Sequence, residues 1–277
     1  MSGLIDLTGI SVLVTRPQHQ AESLCRLIEA HGGTAIRCPA VSIETTAGSE
    51  ALAPALTAVA AADVAIFLSP NAAEHGLGAL RQAGLMLPPG IKVLAIGPGT
   101  AARLQEDGIT VTAVSKAPFN SESLLQVDDL ATPAGQCMVI FRGEGGREWL
   151  SAKLSEAGAK VIPVICYRRA RPLALDTKVI AYWQDHGIDL LMLTSIAAAE
   201  NLWILLKNEL KPWLREAAIV TVSNRIEHRC RALGYAGSIE IAAHAGHDAL
   251  LQAIHTHCHP LNRGETDSVE RPEFDRP

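Results

Sequence analysis

The sequence predicts an α/β protein built as two similar doubly wound parallel-sheet lobes. Three observations carry that prediction. The chain repeats itself with a period of 126 residues. Short, wholly apolar runs are each followed by a segment with helical periodicity, the pattern of buried parallel strands with crossover helices. Glycines stand where those helices should end. The period carries Arg16 onto Arg142, Glu22 onto Glu148, Gly32 onto Gly158, Asp63 onto Asp189 and Ser69 onto Ser195. It also carries Ala72-Ala73-Glu74 onto Ala198-Ala199-Glu200, Arg103 onto Arg229 and Gly108 onto Gly234, all without a gap. A repeat this long is a duplicated unit rather than a solenoid.

Each copy holds three strand-then-helix units. In the first copy the strands are VLVT (12–15), VAIFL (64–68) and KVLAI (92–96), and in the second MVIF (138–141), LLMLT (190–194) and AIVTV (218–222). Gly32, Gly84, Gly108, Gly158 and Gly234 occupy helix C-cap positions. Two extended stretches, TAIRCPAVSIETT (34–46) and AKVIPVICYRRAR (159–171), lie at equivalent places and are long enough to link lobes. The polar, Pro-containing segment 260–277 is expected to be disordered.

Composition narrows the class of function. Hydrophobic residues make up 48% of 277, enough for a sizeable core, and a net charge of -5 argues against a general nucleic-acid binder. The first residues lack a basic segment followed by an apolar one and a cleavage site, and no apolar run is long enough to span a membrane. Cysteines 25, 38, 137, 166, 230 and 258 contain no CxxC pair and read as thiols in a reducing compartment. A cytoplasmic protein is expected.

In open parallel sheets, ligands bind beyond the carboxyl ends of the strands, beside helix N-termini. Those loops begin at Thr15, Ser69, Gly97, Arg142, Ser195 and Ser223. They are rich in Ser, Thr, Asn, Gly and Arg and poor in acids. Hydroxyls, backbone N–H groups and the helix dipole together favour carboxylate or phosphate oxygens. A cleft between two such lobes would grip a large polyanion from both sides.

TRP (15–17), FLSPNAAE (67–74), AIGPGTA (95–101), RGEGGRE (142–148), VICYRR (164–169), LTSIAAAENL (193–202), VSNRIEHRCRALG (222–234) and HAGHDALLQAI (244–254) resemble uroporphyrinogen-III synthases, in order and at fitting spacings. Each motif alone is weak, and together they cover about residues 10–256. The resemblance implies a cofactor-free cytoplasmic monomer in haem, sirohaem and cobalamin precursor synthesis. Its substrate is hydroxymethylbilane, a linear tetrapyrrole with eight carboxylates. The hydroxyl leaves to give an azafulvene cation, the terminal ring attacks through its substituted carbon, and a spiro intermediate rearranges so that ring D is inverted. Without the enzyme the bilane closes to the wrong isomer, so conformational control outweighs acid–base chemistry. The resemblance also implies discontinuous lobes, 1–37 with 172–258 and 46–164. Segments 38–45 and 165–171 would then pair as a two-stranded β-ladder linker. Two thin linkers predict relative lobe motion. A transient contact with the bilane-producing enzyme stays open; nucleic acid and membrane are not expected as partners.

Tyr167 is the expected catalytic residue, matching the family's cleft tyrosine. A phenol keeps its proton at neutral pH and can assist departure of the hydroxyl. The alternative is a linker tyrosine packing its ring. The expected substrate-binding set is Arg16, Pro17, Ser69, Asn71, Gly97, Thr100, Arg142, Gly143, Arg147, Ser195, Ser223 and Arg225. Guanidinium forks suit carboxylates, whereas Arg169 and Arg171 read better as a solvated face. Ser69 and Ser195 are most simply N-caps, and Thr100 could cap its own helix. The second-copy loop VSNRIE lacks the glycine and threonine of AIGPGTA, so Ser223 is a substitute only.

Two other motifs compete. GPGTAA (97–102) satisfies a dinucleotide fingerprint, but no acid follows about 20 residues later to hold a ribose. GEGG (143–146) is a turn, not a phosphate loop. HTHCH (255–259) invites a metal, but its ligands alternate between faces of one helix end, so no metal site is expected. A non-catalytic tetrapyrrole-binding protein of the same fold is the alternative function, and an unrelated nucleotide-dependent enzyme a weaker one.

Overall fold

The computed structural model describes residues 5–146 and 148–258, excepting the side chains of His19 and Glu209. The tail at 260–277 and Arg147 therefore lie outside the described residues. The strands are β1 (Ser11–Val14), β2 (Thr34–Arg37), β3 (Ser42–Thr45), β4 (Val64–Phe67), β5 (Lys92–Ala95) and β6 (Ala113–Val114). They continue with β7 (Cys137–Gly143), β8 (Lys160–Ala170), β9 (Leu190–Met192), β10 (Ala218–Thr221) and β11 (Ile239–Ile241). The helices are α1 (Gln18–Ala30), α2 (Ala53–Ala58), α3 (Pro70–Gln82), α4 (Pro98–Glu106), α5 (Ser121–Leu124) and α6 (Trp149–Glu156). Next come α7 (Thr177–His186), α8 (Ile196–Leu205), α9 (Lys211–Glu216), α10 (Asn224–Leu233) and α11 (His247–Cys258).

The chain divides into two compact units, one comprising residues up to Ser42 and from Arg171 onward, the other Ile43–Ala170. The first holds a five-stranded sheet in the order β11-β10-β9-β1-β2, and the second a six-stranded sheet in the order β3-β8-β7-β4-β5-β6. All ladders of the first sheet are parallel, as are those from β8 to β6 in the second. Successive strand residues point to opposite faces, so continuous apolar runs bury both. In the first unit Leu13, Leu191 and Ile219 meet Trp183, Leu202 and Tyr235 on one face. Val12, Val14, Met192 and Val220 meet Leu24, Ile28 and Ile254 on the other. The second unit repeats the scheme: Phe67, Val139 and Phe141 pack with Leu77, Leu80 and Leu104, and Ile66, Leu94 and Ile140 with Leu124, Leu150 and Leu154. Helices on both faces of a parallel sheet are the doubly wound α/β arrangement.

The 126-residue period reappears in the hydrogen-bond register. Adding 126 to Ser11–Thr34 gives Cys137–Lys160, the corresponding pair of β7 and β8. Val64–Lys92 becomes Leu190–Ala218, and Val64–Met138 maps onto Leu190–Val12. The last ladder slips by one, Ile219 facing Ile239 where the shift of Leu94–Ala113 would put Val220. Each strand entry is fastened alike: Asp63 Oδ2 accepts from the Cys137 amide at 2.8 Å, and Asp189 Oδ2 from the Ser11 amide at 2.8 Å. The copies cross, however. The first unit takes β1 and β2 from the first copy and β9, β10 and β11 from the second, whereas the second unit takes β3, β4, β5 and β6 from the first copy and β7 and β8 from the second.

One expectation changes form. Segments 38–45 and 165–171 do not make a separate two-stranded linker, because β8 remains paired with β7 from Lys160 to Tyr167 and β3 adds to its far side. Val164 and Cys166 are fully buried in this sheet, and the chain passes between the units at Ser42–Ile43 and at Ala170–Arg171. Gly32 and Gly158 end their helices in left-handed conformations, φ +86° and +89°. Among the described residues no helix is long and apolar enough to cross a membrane.

Candidate active site

In the second unit the carboxyl ends of β4, β5 and β7 carry most of the expected residues. Ser69 follows β4 in extended conformation and caps α3, its Oγ accepting from the Ala72 amide at 3.0 Å. That Oγ also lies 3.1 Å from the Tyr167 hydroxyl. Tyr167 comes from β8, two strands away, and is only 5% exposed. It reaches Ser69 by lying across Gly143 at the end of β7. A Cβ at Gly143 would stand 2.5 Å from Tyr167 Cζ, so only glycine lets the ring take this course. The Glu144 amide donates to the Tyr167 carbonyl at 2.9 Å, tying the strand ends together. His75, one helical turn beyond Asn71 on α3, holds its ring 5.8 Å from that of Tyr167.

Beside Ser69, the loop after β5 starts α4. Gly97 is the N-cap, and a Cβ on Gly99 would meet the Pro70 ring at 3.8 Å, so the two helix starts are neighbours. Thr100 is 2% exposed and its Oγ1 has no hydrogen-bond partner; Asn71 is 3% exposed and its Oδ1 has none either. Thr100 therefore does not cap its own helix. Two adjacent N-termini carry partial positive charge and amides that no helical carbonyl satisfies, a natural seat for carboxylate oxygens.

Arg142 behaves otherwise than an exposed fork. It is buried, its Nε unpartnered, with Nη2 3.6 Å from Glu148 Oε1, and it sits under the Gly143–Gly146 turn. Arg168 pairs with Glu44 at 2.8 Å on the surface. A cavity of about 650 Å³ in this unit runs along β3 and β8 past Thr46, Ser49, Glu144 and Arg168; Ser69 and Thr100 do not line it. Its arginine is already paired with Glu44, and its lining holds the start of the short helix α2.

The first unit presents its own set. Arg16 is half-buried, donating from Nε to Thr194 Oγ1 at 3.3 Å and from Nη2 to the Ala245 carbonyl at 2.9 Å. Burial lowers its pKa. Pro17 caps α1, Ser195 caps α8 through the Ala198 amide at 3.1 Å, and Ser223 caps α10 through the Ile226 amide at 3.4 Å. Arg225 is exposed. His247, opening α11, has its pKa lowered by burial and by the nearby Arg16 charge.

Histidines 255 and 257 are engaged with neighbours: the Asp6 amide lies 3.3 Å from His255 Nδ1, and His257 Nε2 is 3.3 Å from Ser238 Oγ. His259 lies outside the described residues. Cys25, Cys38, Cys166 and Cys230 are buried thiols, and burial pushes those of Cys38 and Cys166 up to about 12.

Two largely parallel sheets with capped helix starts at their carboxyl edges define an α/β protein whose edges are chemically suited to carboxylate oxygens. The family model described as uroporphyrinogen-III synthase HemD matches residues 22–252. The uroporphyrinogen-III synthase of Salmonella typhimurium is 33% identical over 252 residues, spanning 88% of this chain and all of that protein. That of Escherichia coli is 30% identical over 246 residues, with the same coverage. The fold is similar to the solved synthases of Helicobacter pylori, TM-score 0.55 at 16% identity over 88% of this chain and 97% of that one, and of a Thermus thermophilus mutant, TM-score 0.52 at 20% identity over 88% and 96%. The chain belongs to the uroporphyrinogen-III synthase family, whose reaction is the cyclisation of hydroxymethylbilane in porphyrin biosynthesis.

Proposed function

We propose that the chain closes hydroxymethylbilane to uroporphyrinogen III with its own groups alone, Tyr167 acting on the departing hydroxyl. The observation that carries this reading is the Tyr167 hydroxyl held 3.1 Å from Ser69 Oγ at the end of β4. Ser69 Oγ already accepts from the Ala72 amide, which leaves its own proton and one lone pair to fix the phenol's direction.

The phenol gives its proton to the hydroxymethyl oxygen, the C–O bond breaks, and water leaves an azafulvene cation. The substituted carbon of the terminal ring attacks the exocyclic carbon, and the spiro intermediate fragments and recloses at the free position. The ring proton lost on rearomatisation restores the phenol. The electron-rich pyrrole supplies most of the push, so acid assistance accelerates a reaction that also runs unaided. Substrate carboxylates are assigned to the starts of α3 and α4 with Asn71 and Thr100, and to Arg16 with the Ser195 and Ser223 caps in the other unit. Arg142 supports the Gly143–Gly146 turn from beneath. Arg147 and Arg225 remain assigned to the substrate on their position in the sequence.

The test is to incubate the protein with hydroxymethylbilane and separate the oxidised porphyrins. Isomer III in excess of isomer I supports the reading. Isomer I alone, at the spontaneous rate, leaves a tetrapyrrole-binding protein in its place.

A further inference from the structure

Among the large apolar side chains, Phe119 is in an unusual position. It is 46% exposed, and it is the one non-glycine residue with positive φ, at +56°, among the described residues. A bulky L-residue avoids that region, and an aromatic left nearly half exposed gains only part of its burial energy. The neighbours nonetheless over-determine it. The Phe119 amide donates to the Lys116 carbonyl at 3.0 Å. Behind it, Asn120 and Ser123 form a reciprocal capping box at the start of α5. Ahead of it, Ser115 Oγ donates to the Ile96 carbonyl at 2.6 Å, fastening the loop to the end of β5. Backbone strain held on both sides marks a residue kept for what it presents.

What Phe119 presents is a phenyl ring over the start of α4. A Cβ on Gly97 would lie 3.3 Å from Phe119 Cβ and 3.4 Å from Cγ, so the small residue at the N-cap makes room for the aromatic. The arrangement mirrors that of Tyr167. Tyr167 leans in from β8 across Gly143 and ends at Ser69 after β4, and Phe119 leans in from beyond β6 across Gly97 after β5. β4 and β5 are hydrogen-bonded neighbours, so the two side chains end on strand termini only about 4.8 Å apart. The groups between them, Ser69, Gly97 and Thr100, are polar or lack side chains. None of them supplies a surface for a flat heteroaromatic ring.

We infer that the Phe119 ring is the aromatic contact for the reacting pyrrole of the bilane, and so a specificity-determining residue. The inference rests on the reading above. A pyrrole whose hydroxymethyl group meets the Tyr167 hydroxyl extends along the sheet edge toward Gly97, where the phenyl ring meets it in offset or edge-on contact. When the hydroxyl departs, that same pyrrole carries the positive charge, which an aromatic face attracts. Phe119 thus holds the azafulvene ring while the far end of the bilane folds back, and selects closure to isomer III over premature closure to isomer I.

The experiment compares Phe119→Gly, Phe119→Leu and Phe119→Trp with the unaltered protein in rate and in the III-to-I ratio, alongside melting temperature. Glycine relieves the positive φ, so Phe119→Gly should melt no lower than the parent. Phe119→Gly and Phe119→Leu should each lower kcat at least tenfold and raise the proportion of isomer I, with Phe119→Trp retaining both within threefold. Parental rate and ratio in Phe119→Leu, with its bulk but no aromatic face, would overturn the proposal. Absence of isomer III from the unaltered protein would instead sink the functional reading on which it stands.

Discussion

Replacing Tyr167 with Phe removes one oxygen from a packed environment, and its cost separates chemistry from folding. The ring is buried against Gly143 and beside His75, and those contacts survive the change. The hydroxyl's partner is Ser69 Oγ, which keeps the Ala72 amide when the phenol goes. Loss of one such hydrogen bond is worth about 1 kcal/mol. That corresponds to a melting temperature lower by ~3 °C for a chain of this size. Acid assistance to the leaving hydroxyl is typically worth 10²–10⁴-fold, and the electron-rich pyrrole should keep the effect near ~100-fold or below. A hundredfold loss is about 2.7 kcal/mol of barrier, well beyond the folding cost.

Initial rates of isomer III formation, with denaturant unfolding of the same samples, measure both quantities. Ser69→Ala sharpens the test. It removes an N-cap, costing about 1 kcal/mol of stability, together with the group that directs the phenol. If Ser69 acts through Tyr167, the double variant should be scarcely slower than Tyr167→Phe alone, whereas independent roles would multiply. A Tyr167→Phe protein with normal rate and isomer ratio would refute the reasoning and leave the ring as a filler over Gly143.

Two further outcomes follow from the same geometry. Gly143→Ala places a methyl 2.5 Å from the Tyr167 ring, so it should destabilise by ~1–3 kcal/mol and lose activity as the phenol shifts, whereas Gly145→Ala, a neighbour with φ +71° and open space, should weaken folding without Tyr167's rate signature; equal isomer III rates in the two would count against the positioning of Tyr167. Burial lowers the pKa of His247 and His257, so the unfolded chain takes up these protons first on acidification. Their contribution to stability is therefore complete above about pH 6.5 and is lost as the pH falls through the folded-state values. His247→Asn combined with His257→Asn should flatten the decline in melting temperature between pH 7 and 5, and an unchanged slope would assign it to other groups.

How much was legible in the residues depended on how local each signal was. The six apolar runs became β1, β4, β5, β7, β9 and β10 because a strand buried on both faces has no polar position to blur it. β6 and β11 escaped notice, being two and three residues long with exposed or half-buried members. Ser69 and Ser195 were readable as caps from their place after a strand, and Ser223, read only as a substitute in its loop, caps α10 as well. His75 could have been found, since it stands one helical turn beyond Asn71. The burial of Arg142 could not, because nothing in RGEGG tells whether a guanidinium lies above or below its turn. Phe119 carries no periodic or cap signal, and its meaning comes from a backbone angle and a contact with Gly97 across the loop.

The repeat gives both units the same sheet register and the same row of helix starts, but not the same groups at their edges. Shifted by 126, Tyr167 corresponds to Val41, Thr100 to Ile226, Gly97 to Ser223 and Phe119 to Ala245. The strand that delivers Tyr167 runs to Ala170, whereas its counterpart β2 stops at Arg37. Every group assigned here to the leaving hydroxyl or the reacting pyrrole thus belongs to the Ile43–Ala170 unit. The other unit has hydroxyl caps at Ser195 and Ser223 and a half-buried Arg16 fixed by Thr194 and the Ala245 carbonyl. That carbonyl belongs to the residue standing where the first copy has Phe119, so the same loop that offers an aromatic face in one unit secures a cation in the other. A duplicated scaffold has no reason to lose its symmetry at so many edge positions if both edges do the same work. The division fits the proposal that one unit handles the reacting ring as well as carboxylates, and the other carboxylates alone. It also makes a directional claim: substitutions at Arg16, Ser195 or Ser223 should weaken substrate binding with little change in isomer ratio, and those at Tyr167 or Phe119 should do the reverse.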